Sequence, residues 1–340
     1  MSSFTEIPIL DLSLARSPDT KPQFLESLRH ALLEVGFLYI KNTGIEDELV
    51  KDVVEQGKAF FGLPEEAKLE IEMKNGTSDS QDWMGDISMF FMSLVAEAIG
   101  LPPNAFSCFF DASQQHKLKI VKYPDLAELG AAAEGKTEAQ GVGPHKDSML
   151  TSYLLQATSH RGLQVQNTAG RWIDCPPIDG TLVVAMGQGL EALTQGVCAS
   201  TTHRVLSPAP GTGARFSIPF FQGVSYDATF ESMEVPEEVK ALKASVVERN
   251  GGRRDDVEFT FTKGRYRHLG EATLMNRIKS HPDVGKKWYP DLLKQIREQQ
   301  AREEAQRSGA SEDRAAQESA AQSTMSKVVD AAHAAAVEAH

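Results

Sequence analysis

Apolar positions in the first hundred residues switch repeatedly between strand-like and helix-like spacing. Residues 7–12 alternate as a short strand, residues 24–35 recur at helical spacing, and Gly36 is a natural helix end. Residues 37–40 form another strand-like run. Apolar positions from 49 to 60 predict a second helix, which ends at the Gly-Leu-Pro sequence that follows. The pattern predicts a mixed region whose apolar stripes face a core.

The middle of the chain has a different pattern. A helix is predicted over 89–99 and a strand over 118–123. Between residues 146 and 221, short β-branched and aromatic runs alternate with Gly, Pro and Asn turns, which is typical of a sandwich or jelly roll. Residues 236–247 predict a further helix. We therefore expect a mainly β core with flanking helices, an α+β fold.

Three polar stretches interrupt this pattern. Residues 74–84 are polar and rich in Gly and Ser, and predict a loop. The Ala/Gly/Glu-rich stretch 124–143 is either a lid or a disordered insertion, and its few apolar residues favour disorder. From about residue 295 the chain is rich in Ala, Glu, Gln and Ser and cannot bury enough apolar surface to fold alone.

Composition bounds the cellular setting and the partners. The 340 residues are 41% hydrophobic, carry a formal net charge of −12 and contain no run of about 18 apolar residues. An acidic chain does not suit a nucleic-acid backbone as partner. The first residues lack a secretory leader, and Cys108, Cys175 and Cys198 are too widely spaced for a disulfide framework or a thiolate cluster. We expect a cytoplasmic monomer that binds neither nucleic acid nor membrane.

Candidate chemistry lies in His145-x-Asp147 and in His203. In a strand, residues i and i+2 point to the same side, so His145 and Asp147 can bind one ion, joined by His203 from another strand. Two imidazoles and one carboxylate leave coordination positions open, as a non-haem Fe(II) oxygenase requires. Arg215 and Ser217 share one strand face and suit the far carboxylate of a dicarboxylic acid.

The flanking sequences form an ordered series of motifs over about residues 5–295. They are Ile7-Pro8-Ile9-Leu10-Asp11-Leu12, Gly36-Phe37-Leu38-Tyr39-Ile40, Phe60-Phe61-Gly62-Leu63-Pro64, the run from His145 to Gln156, Gly162-Leu163-Gln164-Val165-Gln166, Ser200-Thr201-Thr202-His203-Arg204-Val205 and Arg215-Phe216-Ser217-Ile218-Pro219-Phe220-Phe221. In this order they resemble the isopenicillin-N-synthase-like family of Fe(II)/2-oxoglutarate dioxygenases. The resemblance implies a double-stranded β-helix, a cupin-like jelly roll, with flanking helices.

The resemblance also implies roles for individual residues. His145, Asp147 and His203 would be the metal ligands for Fe(II). Arg215 and Ser217 would bind the distal carboxylate of 2-oxoglutarate. Tyr123 would be a further contact to this co-substrate, although it fits a buried strand tyrosine equally well. The cofactors implied are Fe(II), 2-oxoglutarate and O₂, with ascorbate as a stimulant. A small organic molecule in specialised metabolism would be hydroxylated or desaturated, with release of succinate and CO₂.

The expected organisation has four parts. They are an N-terminal helical and strand region (1–110), the jelly-roll core (115–225), a C-terminal helical region (226–297) and a disordered tail (298–340). Within the C-terminal helical region, residues 270–289 resemble the family's closing helix. The chain departs from the family at two places. Residues 74–90 are shorter than usual, and the missing part usually packs over the substrate entrance. In addition, Ala185-Met186-Gly187-Gln188 replaces a frequent Asn-x-Gly-Asp pattern.

Strand alternation makes further predictions around the site. Lys146 should point outward, and Phe216 should pack away from Arg215 and Ser217. Arg204 fits either the substrate side or a core ion pair, and the ion pair is favoured. The candidates for the pocket wall are Tyr153, Phe220 and Phe221.

Two alternatives to a 2-oxoglutarate-dependent enzyme stay open at the level of sequence. Isopenicillin N synthase and the ethylene-forming amino-cyclopropane oxidase carry the same Arg-x-Ser yet use no 2-oxoglutarate, so an oxidase of that kind is one alternative. A non-catalytic jelly-roll binding protein is the other. It is favoured only by the short 74–90 region and opposed by the unbroken ligand set.

Overall fold

The computed structural model describes residues 3–70, 83–111, 114–130, 138–229, 233–251 and 268–302. The chain divides into two compact units, residues 1–276 and 277–340. Most of the predicted loop, residues 74–82, and the tail beyond residue 302 lie outside the described residues. None of the helices in the described ranges is long and apolar enough to cross a membrane.

Eleven strands are seen in the described part of the first unit. They are β1 (Ile9–Asp11), β2 (Phe37–Lys41), β3 (Lys117–Leu118), β4 (Val121–Tyr123), β5 (Gln140–His145), β6 (Thr151–Gln156), β7 (Leu163–Gln166), β8 (Trp172–Asp174), β9 (Thr181–Met186), β10 (His203–Leu206) and β11 (Arg215–Gln222). β5 begins inside the stretch predicted as a loop up to residue 143. That boundary was wrong because Val142 packs into the apolar interior of the sheets.

The predicted helices are present, together with two short helices that were not predicted. They are α1 (Lys21–His30), α2 (Asp47–Gly62), α3 (Glu65–Leu69), α4 (Trp83–Ala98), α5 (Gln188–Leu193), α6 (Glu237–Arg249), α7 (Leu269–Ser280) and α8 (Pro282–Trp288). The two that were not predicted are α3 and α5, and α4 begins six residues before the predicted position 89 and includes the end of the predicted 74–84 loop. A turn of π-helix, Ala31–Val35, continues α1 up to Gly36, which adopts φ +70°. A Cβ at Gly36 would collide with the carbonyl oxygen of Ala199, so glycine is required where the chain turns into β2. Residues 290–302 are helical in the second unit.

The strands form two sheets that enclose one interior. The major sheet has the order β1-β2-β9-β6-β11-β3, with β4 also paired to β11, and the minor sheet has the order β5-β10-β7-β8. Neighbouring strands run antiparallel, except for the parallel pair β1–β2. Two facing antiparallel sheets with flanking helices confirm the predicted double-stranded β-helix.

Two apolar cores hold this arrangement. One lies between the sheets and contains Phe37, Tyr39, Val165 and Val183. The other lies on the outer face of the major sheet, where α1 and α4 cover it, and contains Leu28 and Phe91 among many others. The major sheet is therefore apolar on both faces, and its strands lack a simple alternation of apolar and polar residues.

Candidate metal and co-substrate site

The fold brings His145, Asp147 and His203 together. His145 ends β5 directly opposite His203, the first residue of β10. An Asp147 carboxylate oxygen lies 3.7 Å from His145 Nε2 and 3.8 Å from His203 Nε2. The three ligand atoms all lie within 4.8 Å of one another. This spacing allows one ion to contact two imidazole nitrogens and one carboxylate oxygen.

Asp147 reaches this position from a loop and not from a strand. β5 ends at His145, so the premise that a strand carries both residues was wrong. The backbone of the next helix holds the loop instead: the Gln188 N–H donates to the Asp147 carbonyl at 2.8 Å, and the Gly187 N–H donates to the Leu150 carbonyl at 2.9 Å. A Cβ at Gly187 would collide with the Met149 carbonyl. The residues that depart from the family pattern therefore support the carboxylate through backbone hydrogen bonds.

Both imidazoles are oriented by a carbonyl two residues upstream. Nδ1 of His145 lies 2.9 Å from the Gly143 oxygen, and Nδ1 of His203 lies 3.2 Å from the Thr201 oxygen. If each Nδ1–H donates to its carbonyl, the Nε2 lone pair of each ring faces Asp147. Burial, followed by the neighbouring His145, lowers the pKa of His203 to about 4, so its imidazole is neutral at physiological pH. A neutral imidazole is the form that binds a metal.

The two histidines differ in their access to solvent. His203 is buried, and its ring meets the Phe37 ring edge-on at a centroid distance of 5.0 Å. The side chain of His145 is 39% exposed. A ligand would therefore reach the cluster from the His145 side, while Phe37 closes the opposite side.

Arg215 and Tyr123 form a second polar cluster in the same interior. They are paired across β11 and β4, and the guanidinium carbon lies 5.0 Å from the centre of the Tyr123 ring. Arg215 is only 1% exposed, and Ser217, on the same face of β11, is also buried. Burial lowers the pKa of Arg215, an effect that Tyr123 opposes. Burial likewise raises the pKa of Tyr123, which keeps the phenol protonated.

Most of the donors of Arg215 are available to a ligand. Its Nη2 donates to Gln156 Oε1 at 3.1 Å, but Nε and Nη1 have no hydrogen-bond partner within the part of the chain that the structure describes. A buried guanidinium is costly unless an anion satisfies its donors. The cluster is therefore suited to the distal carboxylate of a dicarboxylic co-substrate such as 2-oxoglutarate.

Comparison with known proteins agrees with this geometry. Two family models match: a non-haem dioxygenase N-terminal model ("non-haem dioxygenase in morphine synthesis N-terminal") over residues 7–88, and the 2OG-Fe(II) oxygenase superfamily model over residues 116–224. The 2-oxoglutarate-dependent dioxygenase frbJ of Dothideomycetidae sp. is 61% identical, and the alignment covers 88% of this chain and 96% of frbJ.

The chain belongs to the 2OG-Fe(II) oxygenase superfamily. It is a 2-oxoglutarate-dependent non-haem iron dioxygenase and uses Fe(II), 2-oxoglutarate and O₂. This confirms the predicted family, enzyme class and cofactors, and it excludes the oxidase and the non-catalytic binding protein. A 2-oxoglutarate-dependent dioxygenase of Gibberella zeae is 31% identical over 88% of this chain and 95% of its own.

A solved structure confirms the fold of this oxygenase. A full-length Neurospora crassa protein, crystallised in complex with alpha-KG, superposes with a TM-score of 0.59 at 24% identity, covering 71% of this chain and 95% of its own.

The alignment with frbJ runs over 359 positions, more than the 340 residues of this chain, so frbJ carries segments that this oxygenase lacks.

Gln156 is a site residue that the sequence alone did not single out. It lies opposite Ser217 in the register of β6 and β11, accepts from Arg215, and donates through Nε2 to the Cys175 carbonyl at 3.1 Å. Gln156 therefore fixes Arg215 to the barrel wall. The sequence does indicate this position: Gln156 lies two residues after Leu154 in the same strand, so its polar side chain points to the same interior face as Leu154.

Several predictions about neighbouring side chains were wrong. Tyr153 and Phe220 pack in the outer core, where the Tyr153 ring meets Phe91 of α4 at a centroid distance of 6.0 Å. Lys146 is 5% exposed and does not point to solvent, because strand alternation stops at His145. In the described part of the chain, Arg204 donates to Gln164 at 2.9 Å and lies over the Trp172 ring, without an acidic partner.

One other prediction is confirmed. Phe216 packs against Phe61, with ring centroids 5.8 Å apart, away from Arg215 and Ser217. Phe221 is paired with Ser152 and lies on the inner face of the sheet, and its part in a pocket wall stays a prediction.

Proposed function

We propose that this dioxygenase hydroxylates or desaturates a small organic molecule in specialised metabolism, with Fe(II) held by His145, Asp147 and His203. Arg215, Ser217 and Tyr123 would bind the distal carboxylate of 2-oxoglutarate. One observation carries the proposal: a metal-binding triad and a buried Arg215 with spare donors face the same barrel interior. A 2-oxo acid with a second carboxylate matches this pair of clusters.

The residues of the chain would position the reactants and exclude water. The carbonyls behind Nδ1 of His145 and His203 keep both Nε2 atoms aimed at the ion. Phe37 shields the buried His203 from water. The metal, when bound, supplies the oxidative chemistry, and the protein decides which C–H bond lies beside it.

The printed names of relatives support a small-molecule substrate. Homoarginine-6-hydroxylase 2-ODD-C23 of Glycine max is 26% identical over 68% of this chain and 90% of its own, and its name specifies an amino-acid substrate. frbJ, the more similar relative, is named only by its reaction class.

We also propose that the enzyme acts as a cytoplasmic monomer without nucleic-acid or membrane partners. Its net charge of −12 supports the absence of a nucleic-acid partner.

Anaerobic spectroscopy tests the site. We expect Fe(II)-loaded protein to develop a weak charge-transfer band at about 500 nm when 2-oxoglutarate is added, as a 2-oxo acid chelate with open iron sites does. Arg215→Met should require about 10- to 100-fold more 2-oxoglutarate, because it removes charge-assisted hydrogen bonds to the far carboxylate. Arg161→Met is the matched control, since the Arg161 side chain is 68% exposed and pairs with Asp174. Equal 2-oxoglutarate requirements in the two variants would contradict the assignment of Arg215.

A further inference from the structure

A row of paired residues crosses the inner face of the major sheet and begins beside the metal triad, at Phe37. The row runs over five strands through Phe37, Ala185, Ser152, Phe221 and Lys117. Residues directly opposite one another in antiparallel strands share one face. The Phe37 ring contacts the His203 ring, so this face looks towards the metal ligands.

A second lysine stands in the neighbouring row. β3 and β4 pair with β11 in one continuous register, and Lys119 lies between these two strands. Lys119 is therefore opposite Pro219, and the Lys119 N–H donates to the Pro219 carbonyl at 3.0 Å. Lys117, Lys119 and Tyr123 have the same parity along this edge of the sheet and therefore share the inner face. Both lysines are half-buried, whereas Leu118 on the outer face is exposed.

The first row also contains a buried hydroxyl. Ser152 is fully buried, and its Oγ has no hydrogen-bond partner among the residues that the structure describes. A buried hydroxyl without a partner costs free energy that a ligand can recover. Lys117 Nζ lies 6.0 Å from the centre of the Phe221 ring, so apolar and cationic surface adjoin this hydroxyl.

These lysines are separate from the co-substrate anchor. Lys119 lies four residues from Tyr123, which corresponds to roughly 13 Å along an extended strand. The inner face of this sheet edge carries cationic side chains at both ends: Arg215 beside Tyr123 at one end, and the two lysines at the other, with Lys117 in the row that begins at Phe37.

We propose that the substrate of this dioxygenase is a small organic acid whose carboxylate is bound by Lys119, with an apolar part against Phe221. The proposal rests on the proposed function and names its substrate class. Ser152 would donate its hydroxyl proton to a polar group of the bound molecule. The carboxylate would then be held at the edge strand, and the oxidised carbon would lie on the part that extends towards the triad.

Ligand-observed NMR on the anaerobic enzyme with Fe(II) and 2-oxoglutarate tests this. The probes are matched pairs of small aliphatic and aromatic monocarboxylic acids and their primary amides. We expect acids to bind in preference to their amides. Lys119→Met should weaken the best acid about tenfold or more, because a charge-assisted hydrogen bond is lost. Lys119→Arg should restore most of the binding.

Lys122→Met is the matched control. Lys122 lies on the outer face of the same edge and pairs with Glu128 at 3.0 Å, so its loss should not change acid binding. If no acid binds better than its amide, or if Lys119→Met and Lys122→Met bind acids equally, the substrate class is wrong. The charge-transfer band separates this failure from failure of the proposed function. A normal band with no acid preference would overturn only the substrate class, whereas a missing band in the wild-type protein would overturn the co-substrate site.

Discussion

Replacing Gln156 should change the affinity for 2-oxoglutarate without touching a residue assigned to co-substrate or metal. Gln156 accepts from Arg215 Nη2 at 3.1 Å and is itself held by the Cys175 carbonyl at 3.1 Å. Because Arg215 is 1% exposed, water cannot replace the lost acceptor easily. Gln156→Leu therefore leaves the guanidinium less well oriented and one donor unsatisfied.

The expected magnitude follows from this contact. A hydrogen bond to a charged group is worth about 1.5–3 kcal/mol, so Gln156→Leu should raise the KM for 2-oxoglutarate by about 10- to 150-fold. Gln156→Glu should raise it further, because a carboxylate at about 4 Å attracts the guanidinium by about 4 kcal/mol at an effective dielectric constant of 20 and competes with the co-substrate. The kcat of both variants should change little, since the metal ligands keep their own supports.

Succinate release at varied 2-oxoglutarate concentration measures both constants. Gln164→Leu is the control, because Gln164 accepts from Arg204 at 2.9 Å in a similar Gln–Arg pair away from the co-substrate cluster. In thermal melts Gln156→Glu should be at least as stable as Gln156→Leu, because its carboxylate satisfies the buried guanidinium, so a higher KM for Glu than for Leu cannot come from folding. A Gln156→Glu enzyme with the wild-type KM would refute the positioning role.

Three further predictions address the metal, the outer core and one loop. His203→Ala should lose nearly all bound iron by elemental analysis, whereas His30→Ala, on the surface helix α1, should keep it; iron retention in His203→Ala would contradict the ligand set. Phe91→Ala should cost about 3–5 kcal/mol in urea unfolding, since Phe91 is fully buried against Tyr153, and a loss under about 1 kcal/mol would contradict that packing. The N–H groups of Glu128, Gly213, Ala127 and Gly211 hold the pKa of Asp125 below its ordinary value of 3.8. The Asp125 carboxylate therefore stabilises the fold at pH values above 3.8, and this stabilisation is lost as the pH falls through the folded-state pKa. The Tm difference between wild type and Asp125→Asn should be largest at neutral pH and should disappear in acid.

The sequence predicted the reactive residues well because metal and anion chemistry restricts residue types. The site needs two imidazoles, a carboxylate and a buried guanidinium, and few sequence patterns supply all of them. His-x-Asp, a distant His and Arg-x-Ser do so, and the structure brings these residues to one interior. The β-rich core was predicted from alternating short strands and turns. Lys146 could not be placed from sequence, because its orientation depends on β5 ending one residue before it.

The faces of the central strands were harder to predict than their positions. Helices cover the outer face of the major sheet, so β6 and β11 carry apolar residues on both faces, and hydrophobicity alone does not indicate which residues point inward. Tyr153 was misplaced for this reason. Phe220 could have been placed correctly from parity alone, because Arg215 and Ser217 fix the odd-numbered positions of β11 as interior.

Parity combined with the cost of burying polar groups gives the information that hydrophobicity lacks. Once β6 is aligned with β11, Ser152 and Gln156 are polar residues on an interior face. Such residues are costly unless something satisfies them. Gln156 is satisfied by Arg215 and the Cys175 carbonyl, so its function is to hold the co-substrate anchor. Ser152 has no such partner among the described residues, so a bound molecule can satisfy its hydroxyl, as a co-substrate carboxylate can satisfy Arg215.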